Sequence, residues 1–205
     1  MTDSSYTGLL TGDTPLELVP PAVWLLAGGE PVELARLAEA AGWPVAKVKT
    51  VLSGFPRVDW DDDGRLAGLG LTLRPTRHRF TVDGHTLFTW CAMDTLLFPF
   101  ILGRAAEVVS TCPATRQPVS LAVSPEGITG LSPADAVISG VRVAGPVADV
   151  RSVVCDHGHF FASAADASPW QADHPGGEVR PVAEAFDVAR EWHARQGWAS
   201  GELPC

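Results

Sequence analysis

With 46% hydrophobic and 19% charged residues over 205 positions, the chain can bury a sizeable core, which excludes a disordered or purely solvated polymer. A formal net charge of −9, with 15 Lys and Arg scattered along the sequence, argues against nucleic acid as a partner, because phosphate contact needs clustered cations. Residues 1–10 lack the basic-then-apolar pattern of a leader, and no uncharged stretch reaches the ~20 residues that span a bilayer, so a cytoplasmic protein off the membrane is expected.

Residues 31–42 place Leu34, Leu37, Ala38 and Ala41 at helical spacing, with Pro31 suited to a first turn and Gly42 to the end. Residues 44–52 repeat the pattern through Val45, Val48, Val51 and Leu52, giving a helix-turn-helix. Strands are expected at Arg57–Trp60 and Leu69–Leu73, on either side of the turn cluster Asp61-Asp62-Asp63-Gly64. Two helices and a hairpin make a winged-helix-like module over 1–80. Its triply acidic tip, and a second helix carrying Lys47 and Lys49, favour a structural role over DNA reading.

From Phe80 the texture changes to short strands split by Asp83-Gly84, Pro113 to Pro118, Ser124-Pro125 and Ser132-Pro133, with one apolar helix after Trp90. A last helix starts near Pro181, aligns Val182, Ala185, Phe186 and Ala189, and ends around Gly197, leaving a loose tail from Trp198 to Cys205. The fold class is therefore α+β: the N-terminal module, then a mixed α+β domain over 81–205 with mainly antiparallel strands.

The four cysteines, Cys91, Cys112, Cys155 and Cys205, lie far apart and form no C-x-x-C pair, so free thiols are expected, and any shared site must be assembled by folding. Cys91 and Asp94 stand three residues apart in an apolar helix, a spacing that brings their Cβ atoms within roughly 5–6 Å on one face. Such a pair can share a proton, or it can be a small core thiol beside a helix-start carboxylate; spacing leaves both open. Cys155, Asp156, His157 and His159 fall within five residues. If that segment is a strand, Cys155, His157 and His159 share a face as soft-metal ligands, and the competing reading makes the imidazoles packing residues.

The segment Phe88-Thr-Trp-Cys91-Ala-Met-Asp94-Thr-Leu-Leu-Phe-Pro99 closely resembles the active-site segment of the organomercurial (alkylmercury) lyase family. The likeness runs upstream through Asp63-Gly64 and Gly70-Leu-Thr-Leu-Arg74. Downstream it runs through Val119-Ser-Leu, Val123-Ser-Pro125, Asp149-Val-Arg151 and Cys155-x-His157-x-His159-Phe-Phe-Ala-Ser163. It implies Cys91, Asp94 and Cys155 as catalytic residues and mercury ligands, a structural Cys112, and a winged helix that does not act on DNA. Where some family members carry two adjacent cysteines this chain has Cys155-Asp156, a departure that touches an auxiliary thiol alone.

The activity implied is protonolysis of the carbon–mercury bond to R–H and Hg(II), for mercury detoxification. Two thiols capture the mercurial and Asp94 carries a proton to the departing carbon. Trp90, Phe98, Phe160 and Phe161 are candidate walls for an alkyl or aryl group. No Gly-rich phosphate loop calls for an organic cofactor, and release of Hg(II) needs excess small thiol. The resemblance further implies cytosolic thiols and a mercuric reductase as acceptors of Hg(II), with Cys205 either assisting transfer or incidental. The rival class is a thiol-based metal sensor or a metal-binding protein without turnover; an operator-binding sensor should carry a basic surface, which this sequence lacks.

Overall fold

The computed structural model describes residues 15–142, 147, 149–198 and 201. Helix α1 spans Val19–Leu26 after a 3-10 turn at Pro15–Leu18, and α2 (Leu34–Ala41) and α3 (Val45–Ser53) follow. Helix α1 has no counterpart among the elements expected from the sequence, and it carries Pro20 and Pro21. They stand in its first turn, where a missing N–H leaves no intrahelical bond unmade, and Ala22, Val23 and Leu26 are buried. Helix α2 begins later than Pro31, because Val32 is bridged to Leu66 by two backbone hydrogen bonds of 2.8 and 2.9 Å. Gly42 closes it in the left-handed conformation, φ +65°.

The expected hairpin is present but divided. Strand β1 (Asp59–Trp60) pairs with β2 (Leu66–Leu69) across the acidic turn. Gly70, at φ +78°, then reverses the chain, so β3 (Leu71–Thr72) returns along β2 and does not continue it. Strands β4 (His78–Val82) and β5 (His85–Thr89) precede α4 (Ala92–Leu102), and β6 (Ala106–Thr111), β7 (Pro118–Ser124) and β8 (Gly127–Ser132) complete an eight-stranded antiparallel sheet. Its order is β1-β2-β3-β5-β4-β6-β7-β8. Residue 80 lies inside β4, so the sheet is continuous across that position.

A second sheet, β10-β9-β11, joins β9 (Val137–Val141), β10 (Phe160–Phe161) and β11 (Gly177–Pro181). Around it lie α5 (Val150–Val153), a 3-10 turn at Cys155–His157, α6 (Ala164–Asp173) and α7 (Val182–Gln196). The α+β class and the mainly antiparallel strands are as expected.

One row of side chains explains how α4 is seated. Leu87, Phe80, Val108 and Leu121 face one another across β5, β4, β6 and β7, and all four are buried. Phe98 meets Phe80 edge-on with ring centroids 6.4 Å apart. Because every residue of α4 from Thr95 to Leu102 is buried, the helix is a core rod covered on several sides, including by α7. The expected α7 face, Val182, Ala185, Phe186 and Ala189, is buried as drawn.

The tail differs from expectation: Trp198 packs edge-to-face on Trp192 at 5.1 Å, and the Gly201 N–H donates to the Ile101 carbonyl at 3.1 Å. Cys205 lies outside the described residues. No helix among the described residues is long and apolar enough to cross a membrane.

Candidate active site

Cys91 is the residue that starts α4. Its backbone is extended, φ −141° and ψ 170°, and its N–H donates to Asp94 Oδ2 at 3.1 Å, while the Asp94 backbone N–H donates to the Cys91 sulfur. This is a reciprocal capping box with a thiol in the place usually held by Ser or Thr. Local helix chemistry thus aligns the pair that the spacing singled out.

Cys155 arrives from the other end of the sequence, on the 3-10 turn after α5. The next turn of chain presses on α4: the Gly158 carbonyl accepts the Ala92 N–H at 3.0 Å, and a Cβ on Gly158 would sit 2.9 Å from Cys91 Cβ. Glycine is the side chain that allows this approach. The outcome is that one ligand atom each from Cys91, Asp94 and Cys155 lie within 4.8 Å of one another.

Those three residues shift one another. The Cys91 thiol is pushed well up by its hydrogen bond to Cys155, by burial and by the Asp94 charge. For Cys155 the hydrogen bond from Cys91 acts downward, but burial and the charges of Asp94 and Asp156 outweigh it, so this thiol is raised as well. Burial lifts Asp94 to about 6, against the opposing pull of its Cys91 hydrogen bonds and the Arg151 guanidinium. Near neutral pH the resting site therefore holds two thiols and a carboxylate whose proton affinity is unusually high.

The site has a buried anchor that sequence reasoning missed. Asp59, on β1, accepts from Trp90 Nε1 at 2.9 Å, from the Thr72 hydroxyl at 2.7 Å and from Arg151 Nη1 at 2.9 Å. Arg151 also lies over the Trp90 ring, 4.7 Å from its centroid, and donates to the Arg57 carbonyl. Outside this, Arg57 pairs with Asp156 at 2.5 Å and with Asp149 at 3.7 Å. Residues 57–72 thereby hold both the Trp90-Cys91 corner and the α5 segment that delivers Cys155. The Asp149-Val-Arg151 motif was in view, but a carboxylate more than ninety residues earlier carries no sequence signal for that partnership.

The histidines do not join the thiols. Because Cys155–His157 is a 3-10 turn and not a strand, the alternation collapses. His157 Nδ1 pairs with His174 Nε2 at 3.1 Å, and His159 stacks 6.3 Å from His78. Buried His78 shares a 2.9 Å hydrogen bond with the Ser110 hydroxyl, and its pKa falls to about 3 through burial and the neighbouring charges of His159 and Arg77. In the unfolded chain it titrates near its usual ~6.5, so between about 6.5 and 3 the unfolded state binds more protons and stability is lost as pH falls. The expected cost is on the order of 1.4 kcal/mol per pH unit in that window. Replacing His78 by Gln is expected to flatten the acid limb of urea-unfolding free energy against pH; an unchanged slope would remove His78 as its source.

Cys112 is also buried, in a separate cluster with Val137, Phe161, Ala162 and Ala167, away from the other two thiols. An apolar chamber of about 100 Å³ opens beside Cys91, Asp94 and Cys155. Trp90 and Phe98 line it as expected, joined by Phe55, Val150, Val154 and Trp192. Phe160 and Phe161 do not: strand β10 turns both into the interior.

The family model for alkylmercury lyase matches residues 71–194, and the model for the helix-turn-helix domain of alkylmercury lyase matches residues 2–70. The alkylmercury lyase of Bacillus cereus is 43% identical over 179 residues, 87% of this chain and 82% of that protein. That of Pseudomonas putida is 44% identical over 184 residues, 88% of this chain and 86% of its own. A crystal structure of the mercury-bound form of MerB2 superposes with a TM-score of 0.71 at 26% identity, covering 89% of this chain and 92% of that one. Sequence likeness over nearly the whole length, together with the shared fold, places the chain in the alkylmercury lyase family.

Proposed function

We propose that this organomercurial lyase breaks the carbon–mercury bond by protonolysis, with Cys91 and Cys155 as the mercury ligands and Asp94 as the proton carrier. The observation that carries this reading is the grouping of those three residues within 4.8 Å at the wall of an apolar chamber. Mercury(II) is a soft ion that prefers thiolate, so paired sulfurs capture R–Hg where water and carboxylate do not compete.

A mercurial entering as R–Hg–SR′ exchanges its thiolate for one cysteine sulfur, and that cysteine's proton leaves on R′SH. As the second sulfur binds mercury its thiol becomes acidic and gives its proton to Asp94. The protonated carboxyl then delivers that proton to the carbon, the carbon–mercury bond breaks, and R–H departs. Hg(II) remains on both sulfurs. A carboxylate raised to about 6 is suited to accept and return a proton near neutral pH.

Two further small thiols return protons to the cysteines and carry Hg(II) away. Turnover therefore requires excess thiol and no organic cofactor. This reading places the enzyme in the cytoplasm, where small thiols are abundant and a mercuric reductase can accept the ion, and gives it a part in mercury detoxification.

The test is to supply phenylmercury and excess small thiol and to assay benzene by gas chromatography. Catalytic benzene from the wild type, and none from a Cys91→Ala variant, is the expected result. Tight mercury binding without benzene over many hours would replace the catalytic assignment with one of binding alone.

A further inference from the structure

The chamber has one adjustable wall. Met93 of α4 and Val188 of α7 line it, and the same two side chains line a second hollow of about 20 Å³ behind them. Ser139 and Gly140 of β9 border both spaces as well, so the two lie side by side with Met93 and Val188 as the side chains of α4 and α7 shared between them.

We infer that Met93 is the specificity-determining residue for the organic group, its rotation joining the two spaces when that group is aromatic. This rests on the lyase reading above. Mercury held by the two sulfurs must present its carbon to Asp94, so the organic group projects into the chamber that Cys91, Asp94 and Cys155 border, and Met93 is among the side chains lining that chamber.

Size decides the matter. An apolar cavity of roughly 150 Å³ takes a benzene ring; the chamber offers about 100 Å³ and the hollow about 20 Å³, so an aryl group gains its remaining room from the space that the side chain between them vacates, whereas a short alkyl group needs none of it. Room must come from a side chain that moves. Phe98 is not a candidate: it is 1% exposed and stands where a Cβ on Gly70 would come within 2.8 Å of its ring. Leu97 is buried as well. Met93 is only partly buried, and its unbranched thioether chain changes shape without strain.

The experiment compares kcat/KM for phenylmercury and methylmercury, from benzene and methane release, in the wild type and three variants. Met93→Ala merges the spaces and is expected to raise the phenyl-to-methyl ratio about tenfold, the scale set by adding or removing a methylene's room in a pocket. Met93→Ile, stiffened by its branched Cβ, is expected to lower it comparably. Val188→Phe fills the shared border from α7 and is expected to lower it too, independently of any effect of position 93 on the start of α4. Ratios within about twofold of the wild type in all three folded variants, set against that tenfold expectation, would overturn the inference while leaving the lyase reading in place. A wild type releasing neither hydrocarbon would instead bring down the lyase reading, and this inference with it.

Discussion

Asp94→Asn is expected to lower benzene release by on the order of 10³-fold while one phenylmercury per protein is still captured, since loss of a positioned acid–base group typically costs 10²–10⁴. The substitution is narrow. An Asn oxygen can still accept the Cys91 N–H that the carboxylate now accepts at 3.1 Å, so the start of α4 is preserved. What disappears is a group able to take a thiol proton and return it to carbon. Single-turnover benzene by gas chromatography, alongside the intact mass of the mercurial adduct, separates chemistry from capture. Benzene at the wild-type rate from the Asn variant would mean that the second thiol protonates carbon directly.

The second large effect is expected at Asp59, which touches no sulfur. Asp59→Ala removes the acceptor of Trp90 Nε1 and the Thr72 hydroxyl together with the partner of Arg151, whose side chain is 22% exposed. Stranding a mostly buried guanidinium costs about 3 kcal/mol, at the low end for such pairs because this one is partly wetted. Activity is expected to fall about 10²-fold through misplacement of Cys155 relative to Cys91. Asp59→Asn retains an acceptor but loses the charge, so it should fall between the wild type and Asp59→Ala in both measurements. Urea-unfolding midpoints and benzene rates check this; a wild-type midpoint in Asp59→Ala would show that the anchor contributes nothing to stability.

The contrast between these two carboxylates shows what the sequence carried. Cys91 and Asp94 were legible because their relationship is local: a three-residue interval at the start of an apolar helix already implies a shared face. Cys155 stood out in a cluster with Asp156, His157 and His159, but its partnership with Cys91 entered through resemblance, and their meeting depends on Gly158 letting two chain segments touch, which no spacing rule encodes. Asp59 read as one residue of a short strand, Arg57–Trp60, and its worth lies in partners far along the chain.

The fold divides the same way. Helices α2, α3 and α7 follow periodicity and α4 shows as an apolar run, whereas α1 carries Pro20 and Pro21, and α6 the internal Pro169. For α6 a signal was present: the Ser163 hydroxyl accepts the Asp166 N–H, a local cap that outweighs the proline downstream. Of the two readings left open for Cys155, His157 and His159, the shared strand face drops out because alternation describes side chains only after the backbone is extended, and here it coils.

The continuity of the eight-stranded sheet bears on how this enzyme could be shortened. The junction between its two matched segments falls at Gly70, between β2 and β3 in the middle of a ladder. Cutting there would strip β3 of a neighbour, expose a hydrogen-bonding edge and take Asp59 away from Trp90. The helix-turn-helix half is therefore a structural wall of the reaction chamber. Residues 15–70 are part of the enzyme's frame, and a catalyst shortened by leaving them behind is expected to lose its fold.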